Sequence, residues 1–284
     1  MSYRSGFVSL VGRPNVGKST LVNAMCGTKV SIVSDKPQTT RTQIRGVLNR
    51  PDAQVVFVDT PGLHKPVTAL GDRLNSTAAE ALDGVDVVCL VLDATQPFGS
   101  GDEWVASRVP ADAVVIVNKT DIASPAKVLK QLAAASHVAA EAWFPVSGRT
   151  GEGVDDLLAH LVARLPEGPA YYDLDAVSDT PEAVHVAELV REQLLAVTDQ
   201  ELPYSIATRV TEWEETSRGA RIRCEIVVER DSQKGMVIGK GGAVLKAAGT
   251  AVRRQLPAGT HLDLFVKVDK DWQRRPDRIQ RLGY

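Results

Sequence analysis

The sequence is poor in the residues that would make a stapled or metal-built protein. Its 284 residues include three cysteines, Cys26, Cys89 and Cys224. They lie far apart, form no CxxC pair and show no metal-ligand spacing, so reduced thiols buried as small hydrophobes are expected. Neither sign of charge dominates: 33 Lys and Arg face 35 Asp and Glu, for a net charge of −2. That excludes a uniformly basic nucleic-acid coat but permits a local basic patch. Long apolar runs are also missing. The longest, Val87–Leu92, is closed by Asp86 and Asp93 and is far too short to cross a bilayer. Phe7–Val11 runs straight into Gly12-Arg13-Pro14-Asn15, so no secretory signal is expected. The chain reads as cytoplasmic, with any membrane contact peripheral.

What is present suffices for two domains with real cores, since hydrophobic residues make up 44% of the chain. Short Val-rich runs at Phe7–Val11, Val55–Val58, Val85–Leu92, Ala113–Val117 and Trp143–Val146 read as buried strands. Helical patterns at Ser19–Cys26, Ala69–Leu82, Glu103–Arg108, Ala126–Ala140 and Val154–Leu165 alternate with them. This α/β alternation predicts a mostly parallel sheet flanked by helices. Thr42–Leu48 and Gln54–Val58, joined by Arg50-Pro51-Asp52, predict a hairpin and hence one antiparallel strand. A Pro- and Gly-rich stretch begins near Pro166 and marks a boundary. Beyond it the pattern changes: helix Pro181–Gln200 capped by Thr180 or Asp179, strands Ser205–Glu212 and Ala220–Val228, helix Ala243–Gln255, strand His261–Val268. Glu212, Glu214 and Glu215 beside Trp213 read as a solvated strand end.

The residues that carry chemistry sit at strand ends. Gly12, Arg13, Pro14, Asn15, Val16, Gly17, Lys18 and Ser19 spell GxxxxGK[ST], with Thr20 following, between a strand and a helix. Backbone N–H groups of such a loop wrap phosphates, Lys18 supplies charge, and Ser19 offers a hydroxyl to Mg2+. Asp59, Thr60, Pro61 and Gly62 follow the Val55–Val58 strand. There Asp59 can hold the Mg2+ shell and the Gly62 N–H can sense a terminal phosphate. Thr39 or Thr40 can complete the metal shell; Thr40 is preferred, but the sequence does not separate them. Asn118, Lys119 and Asp121 follow the Ala113–Val117 strand. An Asp121 carboxylate can accept two hydrogen bonds from the guanine N1–H and amine, a donor pair that adenine lacks. Ser147 and Gly148 end the next strand, where a backbone N–H can meet the guanine oxygen. Their order predicts a GTP- and GDP-binding phosphate-loop NTPase of Ras-like type.

Lys18, Thr40 and Gly62 are the candidates for stabilising and positioning phosphoryl transfer. Leu63 stands where Ras-like enzymes have a water-orienting Gln, and His64 next to it reads as structural, so intrinsic hydrolysis is expected to be slow. Asn15 is placed to help seat K+ beside the phosphates, an alternative to a plain turn role.

In the second half, Val237-Ile238-Gly239-Lys240-Gly241-Gly242 forms a GxxG loop between two helices. Lys234, Gly235, Ile238, Gly239, Lys240, Gly241, Gly242 and Lys246 are the candidate RNA contacts. The element order resembles an α+β type II KH domain, whose GxxG loop clamps about four single-stranded nucleotides. The basic tail Arg274–Arg281 reads equally well as a solvated helix face.

A GTPase domain followed by a type II KH domain resembles the bacterial Era family. The likeness rests on Gly12–Ser19, Pro37–Arg41, Asp59–Pro66, Asn118–Asp121, Leu202–Ser205, Gln233–Gly242 and Val266–Val268. It implies a G domain over 1–167, a linker over 168–182 and a KH domain over 183–284. It further implies binding near the 3′ end of small-subunit (16S) ribosomal RNA, assistance to small-subunit assembly by a monomer, GTP-dependent positioning of the KH face, and in some members peripheral membrane association. Gly148 departs from the Ser-Ala of many relatives but offers the same N–H. The alternative is a nucleotide-gated adaptor at the membrane or cell-cycle machinery, with the KH surface binding protein.

Overall fold

The computed structural model describes residues 2–198, 202–217 and 219–284. They divide into two compact units: Met1–Val33, Gln38–Pro66 and Gly71–Asp179 in the first, Ser34–Pro37, Val67–Leu70 and Thr180–Tyr284 in the second.

The first unit is built on a six-stranded sheet. Its strands are β1 (Arg4–Val11), β2 (Ile44–Asn49), β3 (Ala53–Asp59), β4 (Val87–Asp93), β5 (Val114–Asn118) and β6 (Ala142–Pro145), in spatial order β2-β3-β1-β4-β5-β6. Only β2 runs antiparallel, as the hairpin pattern predicts. The Val-rich runs show no polar alternation because both faces are covered. On one face Val8, Leu10, Val55, Phe57, Cys89, Val91, Val114 and Ile116 pack with α1 (Lys18–Cys26) and α5 (Val154–Arg164) through Leu21, Val22, Met25, Leu157 and Leu161. The other face presents Val11, Val88, Leu90, Leu92, Val115 and Val117. These meet Ala78 of α2 (Ala69–Glu80), Val105 of α3 (Ser100–Ala106) and Ala135 of α4 (Pro125–Ala135). Register then fixes the site: Leu10 pairs with Asp59, Val11 with Leu90, and Asp93 with Asn118, so the carboxyl ends of four strands lie side by side.

The second unit has α6 (Glu182–Val197), α7 (Leu202–Ser205), β7 (Ala207–Thr216), β8 (Gly219–Val228), α8 (Asp231–Ile238), α9 (Ala243–Arg253), β9 (His261–Val268) and α10 (Pro276–Arg281). β8 lies between an antiparallel β7 and a parallel β9. One face of β8 is apolar and buried through Ile222, Cys224, Ile226 and Val228. Inside α6, Glu188 and Arg191 are both buried and paired, Arg191 Nε donating to Glu188 Oε1 at 2.9 Å.

Several boundaries differ from the sequence reading. The helix expected over Ala126–Ala140 ends at Ala135, where Ser136 Oγ turns back to donate to the Ala133 carbonyl at 2.7 Å. Ser205 belongs to α7, and β7 starts later and runs on to Thr216, so Glu212, Glu214 and Glu215 lie within the strand. The N-cap of α6 is Pro181, not Thr180 or Asp179. Asp179 is instead engaged by Arg45 at 2.9 Å and by the Tyr172 hydroxyl at 2.9 Å. Of the helix expected through Gln200, Asp199 and Gln200 lie outside the described residues.

The stretch after Pro166 is bonded to the first sheet as far as Asp179. Gln54 accepts from the Tyr171 and Tyr172 N–H groups at 2.7 and 3.0 Å and donates to the Tyr172 carbonyl at 2.9 Å. The Val47 N–H donates to the Val177 carbonyl at 2.9 Å, and the Ser178 hydroxyl donates to the Arg45 carbonyl at 2.7 Å.

Among the described residues Trp272 is the largest fully buried side chain, and its indole N–H donates to the Ser205 carbonyl at 3.0 Å. Trp272→Ala therefore leaves both a cavity and an unpaired carbonyl. It is expected to destabilise the second unit by about 3–5 kcal/mol. The check is urea unfolding: the midpoint falls at unchanged slope, whereas a loss below about 1 kcal/mol would exclude Trp272 from that core.

Candidate nucleotide site and GxxG loop

The loop between β1 and α1 is closed by its own lysine. Lys18 is buried, and its ammonium donates to the Gly12 and Arg13 carbonyls, each at 3.2 Å. Burial pushes it down to about 8, opposed by the charge of Asp59. Asp59 is fully buried at the end of β3. Burial pushes its carboxyl above the usual range, offset by the Lys18 charge and by the hydroxyls of Ser19, Ser31 and Thr40.

Thr40 Oγ1 lies 2.9 Å from Ser19 Oγ and donates to Asp59 Oδ2 at 3.4 Å. Asp59 Oδ1 is buried and makes no hydrogen bond among the described residues. A carboxylate oxygen left over beside two hydroxyls fits a divalent cation of the Mg2+ kind, which takes few protein ligands and shares the rest with water and phosphate.

Gly62 is required by a close approach: a Cβ there would lie 2.6 Å from the backbone nitrogen of Pro14. The Leu63 N–H donates to the Gly12 carbonyl at 3.1 Å, tying the Asp59–Gly62 segment to the phosphate loop. His64 Nδ1 is 3.2 Å from the Gly62 carbonyl and Nε2 is 3.2 Å from the Gln38 amide nitrogen. Its backbone is gripped by Asn75, which donates to the His64 carbonyl at 2.7 Å. Thr60 serves the sheet, donating to the Leu10 carbonyl at 2.7 Å.

Asn118 joins the two halves of the site. Its amide nitrogen donates to the Val16 carbonyl at 2.9 Å, and its oxygen accepts from the Gly148 N–H at 3.0 Å. The N–H that the sequence reading reserves for a guanine oxygen is thus engaged with Asn118 in this structure. Lys119, at a left-handed φ of 69°, donates to the Asn15 carbonyl at 2.5 Å and to Asp93 at 2.7 Å. The Ser147 hydroxyl donates to Asp121 Oδ1 at 2.8 Å, holding that carboxylate at the loop surface. Arg13 pairs with the buried Asp102 of α3 at 3.1 Å. Asp93, Asp102 and Asn75 went unrecognised in the sequence reading. Asp93, closing the longest apolar run at a strand end, carried a usable signal; the other two lie on helices with no marking pattern.

In the second unit, α8 opens with Gln233 accepting from the Glu229 and Arg230 N–H groups at 2.9 and 3.0 Å. The chain then turns at Gly239, φ 74° and ψ 168°, where a Cβ would meet the Val244 N at 2.9 Å. Lys240 and Lys246 are exposed, Lys234 and Ile238 half-buried, and Met236 projects with 61% of its surface exposed. The predicted lysines thus gather around a glycine turn on one short helical junction.

A phosphate loop, a buried metal-type Asp and an Asn-Lys-x-Asp cluster on one carboxyl edge, in a chain that also carries a GxxG helical turn, define a GTPase with a KH module. Residues 7–119 match the family described as 50S ribosome-binding GTPase, and residues 201–273 match the KH domain family. The chain is 48% identical to GTPase Era of Mycobacterium bovis over 99% of each chain. It is 43% identical to GTPase Era of Heliobacterium modesticaldum over 99% of this chain and 97% of that one. Among solved structures it resembles a variant of Aquifex aeolicus Era bound to GDP and AlF4−, with TM-score 0.93 and 35% identity over 99% of each chain. It also resembles Era in complex with MgGDPNP and nucleotides 1506–1542 of 16S ribosomal RNA, with TM-score 0.94 and 36% identity over 99% of each chain. The chain belongs to the Era family of GTPases.

Asn118→Ala removes both bonds that join the phosphate loop to the Ser147-Gly148 turn. GTP affinity is expected to fall by at least about 2 kcal/mol, roughly thirtyfold in Kd. Equilibrium titration with a fluorescent GTP analogue checks this, and an unchanged Kd would show that the bridge is dispensable.

Proposed function

We propose that this GTPase uses GTP binding and slow hydrolysis to control engagement of small-subunit ribosomal RNA near its 3′ end, and so assists small-subunit assembly. The observation that carries the RNA half is the GxxG turn: Gly239 at positive φ, exposed Lys240 and Lys246 beside it, and Met236 standing free on the same helix. Full-length similarity to an Era structure holding a 16S ribosomal RNA segment supports the same partner.

On this reading residues 1–167 are the G domain, 183–284 the KH domain and 168–182 the connection. Gly12–Thr20 cradle the phosphates and Lys18 offsets their charge. Gly62 presents its N–H to the terminal phosphate. Asn118, Lys119, Asp121, Ser147 and Gly148 form the base pocket, with Asp121 selecting guanine. Ser19, Asp59 and Thr40, rather than Thr39, hold Mg2+, which when bound neutralises charge on the phosphates. Leu63 is buried and apolar, so it orients no water. Asn15 helps seat K+ beside the phosphates. The protein works as a cytoplasmic monomer, and any membrane association is peripheral, in keeping with the lack of a helix long and apolar enough to span a membrane among the described residues.

Two measurements test the reading. Binding of a single-stranded RNA copy of the 16S 3′ end should weaken steeply with salt. Gly239→Asp, which adds a side chain against Val244 and a negative charge against phosphate, should weaken it at least roughly tenfold while leaving GTP affinity intact. Equal RNA affinity in that variant would refute the KH assignment. GTP turnover should be faster in K+ than in Na+ buffer, and identical rates would remove Asn15 from its cation role.

A further inference from the structure

A cavity of about 330 Å³ opens in the first unit between α4 and the chain that follows β4. Its walls are largely apolar, with Ala94, Pro97 and Phe98 on one side and Ala134 on the other. Lys127, Lys130, Gln131 and Ala134 are spaced as one stripe of α4. Among the lining residues the charged ones are Lys127 and Lys130. Both are exposed, and neither makes an ion pair among the described residues. Gln131 differs from its neighbours. It is 3% exposed, it lines the cavity, and its amide makes no hydrogen bond among the described residues. A carboxamide carries donors and an acceptor, and burying them unpaired is unfavourable unless a ligand meets them. The facing wall is held in place: Thr95 donates to Asp93 Oδ1 through its N–H at 2.8 Å and its hydroxyl at 2.6 Å. The Phe98 ring stands at 90° to that of His137, with centroids 5.3 Å apart.

We propose that this cavity is a second ligand site, for a nucleoside monophosphate: the base lies against Pro97 and Phe98, its edge meets the Gln131 amide, and Lys127 and Lys130 hold the phosphate. Three kinds of lining group carry that choice. An aromatic ring on an apolar wall takes the flat face of any base. A carboxamide, donor and acceptor at once, matches the neighbouring donors and acceptors of a base edge. Lysines without carboxylate partners act as point charges for phosphate. A bare phosphate or carboxylate would satisfy the lysines and leave the Gln131 amide unpaired. The volume falls at the small end of ligand pockets, which suits one mononucleotide. None of the lining residues belongs to the pocket of Asn118, Lys119 and Asp121, so the two sites can be filled separately.

The test uses the full-length protein saturated with GDP and Mg2+, so that the guanine site is filled. Adenosine and uridine monophosphates are titrated in turn, with ribose 5-phosphate as the ligand that lacks a base. At least one nucleotide should shift the Gln131 side-chain amide and Phe98 ring resonances saturably, and should bind more tightly than ribose 5-phosphate. In the variant carrying Lys127→Ala and Lys130→Ala, both exposed positions, its Kd should rise at least roughly tenfold. In Gln131→Leu, followed at Phe98, it should rise about fivefold, while the Kd of ribose 5-phosphate stays at the wild-type value. GDP affinity should be unchanged in both. No saturable shift with either nucleotide overturns the proposal. So does ribose 5-phosphate binding as tightly as the nucleotides, which would mark a phosphate patch only. A response confined to a single-stranded RNA oligonucleotide or an acidic peptide would also overturn it and mark a macromolecular contact in its place.

Discussion

The nucleotide end of this molecule depends on one buried carboxamide. Asn118 sits at the last position of β5, and its two polar ends reach in opposite directions, to Val16 in the phosphate loop and to Gly148 in the turn after β6. Three loops from three different strands are thereby held to a common geometry by one side chain. Neither bond is strong alone, but both lie out of water, where an unmade bond costs most. The neighbouring Lys119 adds a second tie, from Asn15 across to Asp93. These ties hold the frame of the cradle within the chain itself, with the Lys18 ammonium and the Gly148 N–H both engaged on protein groups.

The sheet supplies the platform for that cradle. Parallel pairing in register brings Asp59 beside Leu10 and Asn118 beside Asp93, so residues more than a hundred positions apart in sequence meet at one edge. Val and Ile fill the strand interiors because both faces are covered, and polar residues collect where each strand runs out. Lys18 and Asp59 are among the charged residues buried in this unit, along with Arg41 and Asp102. Lys18 and Asp59 are each driven toward the neutral form by burial and held back by the other.

Much of this was legible in the sequence, and the reason is contiguity. The phosphate loop, Asp59–Gly62, Asn118–Asp121 and the GxxG turn are each short stretches whose chemistry follows from local spacing, and the hairpin of β2 and β3 was announced by Arg50-Pro51-Asp52. What stayed hidden depends on apposition. Asn23, Asn75 and Asp102 bond to segments that no local pattern links to them. The end of α4 at Ala135 was invisible because Val138, Ala139 and Ala140 continue an apolar pattern past it, while the Ser136 back-bond, the backbone turn bonds to Ala133 and Ala135 and the packing of His137 on Phe98 mark the stop. The contacts of the segment after Pro166 stayed hidden for a related reason. Its Pro, Gly and Asp content is that of a loose connection, yet backbone and Gln54 bonds seat it against β2 and β3.

That seating has a practical meaning. β2 is one of the two edge strands of the sheet, and an open strand rim invites pairing with other copies. Here the rim is partly occupied by residues 176–178, through Asn49, Val47 and the Gly46–Ser178 bridge. Shortening the chain at residue 167 to isolate the nucleotide-binding half would strip away this cover, whereas ending it after Asp179 would keep it.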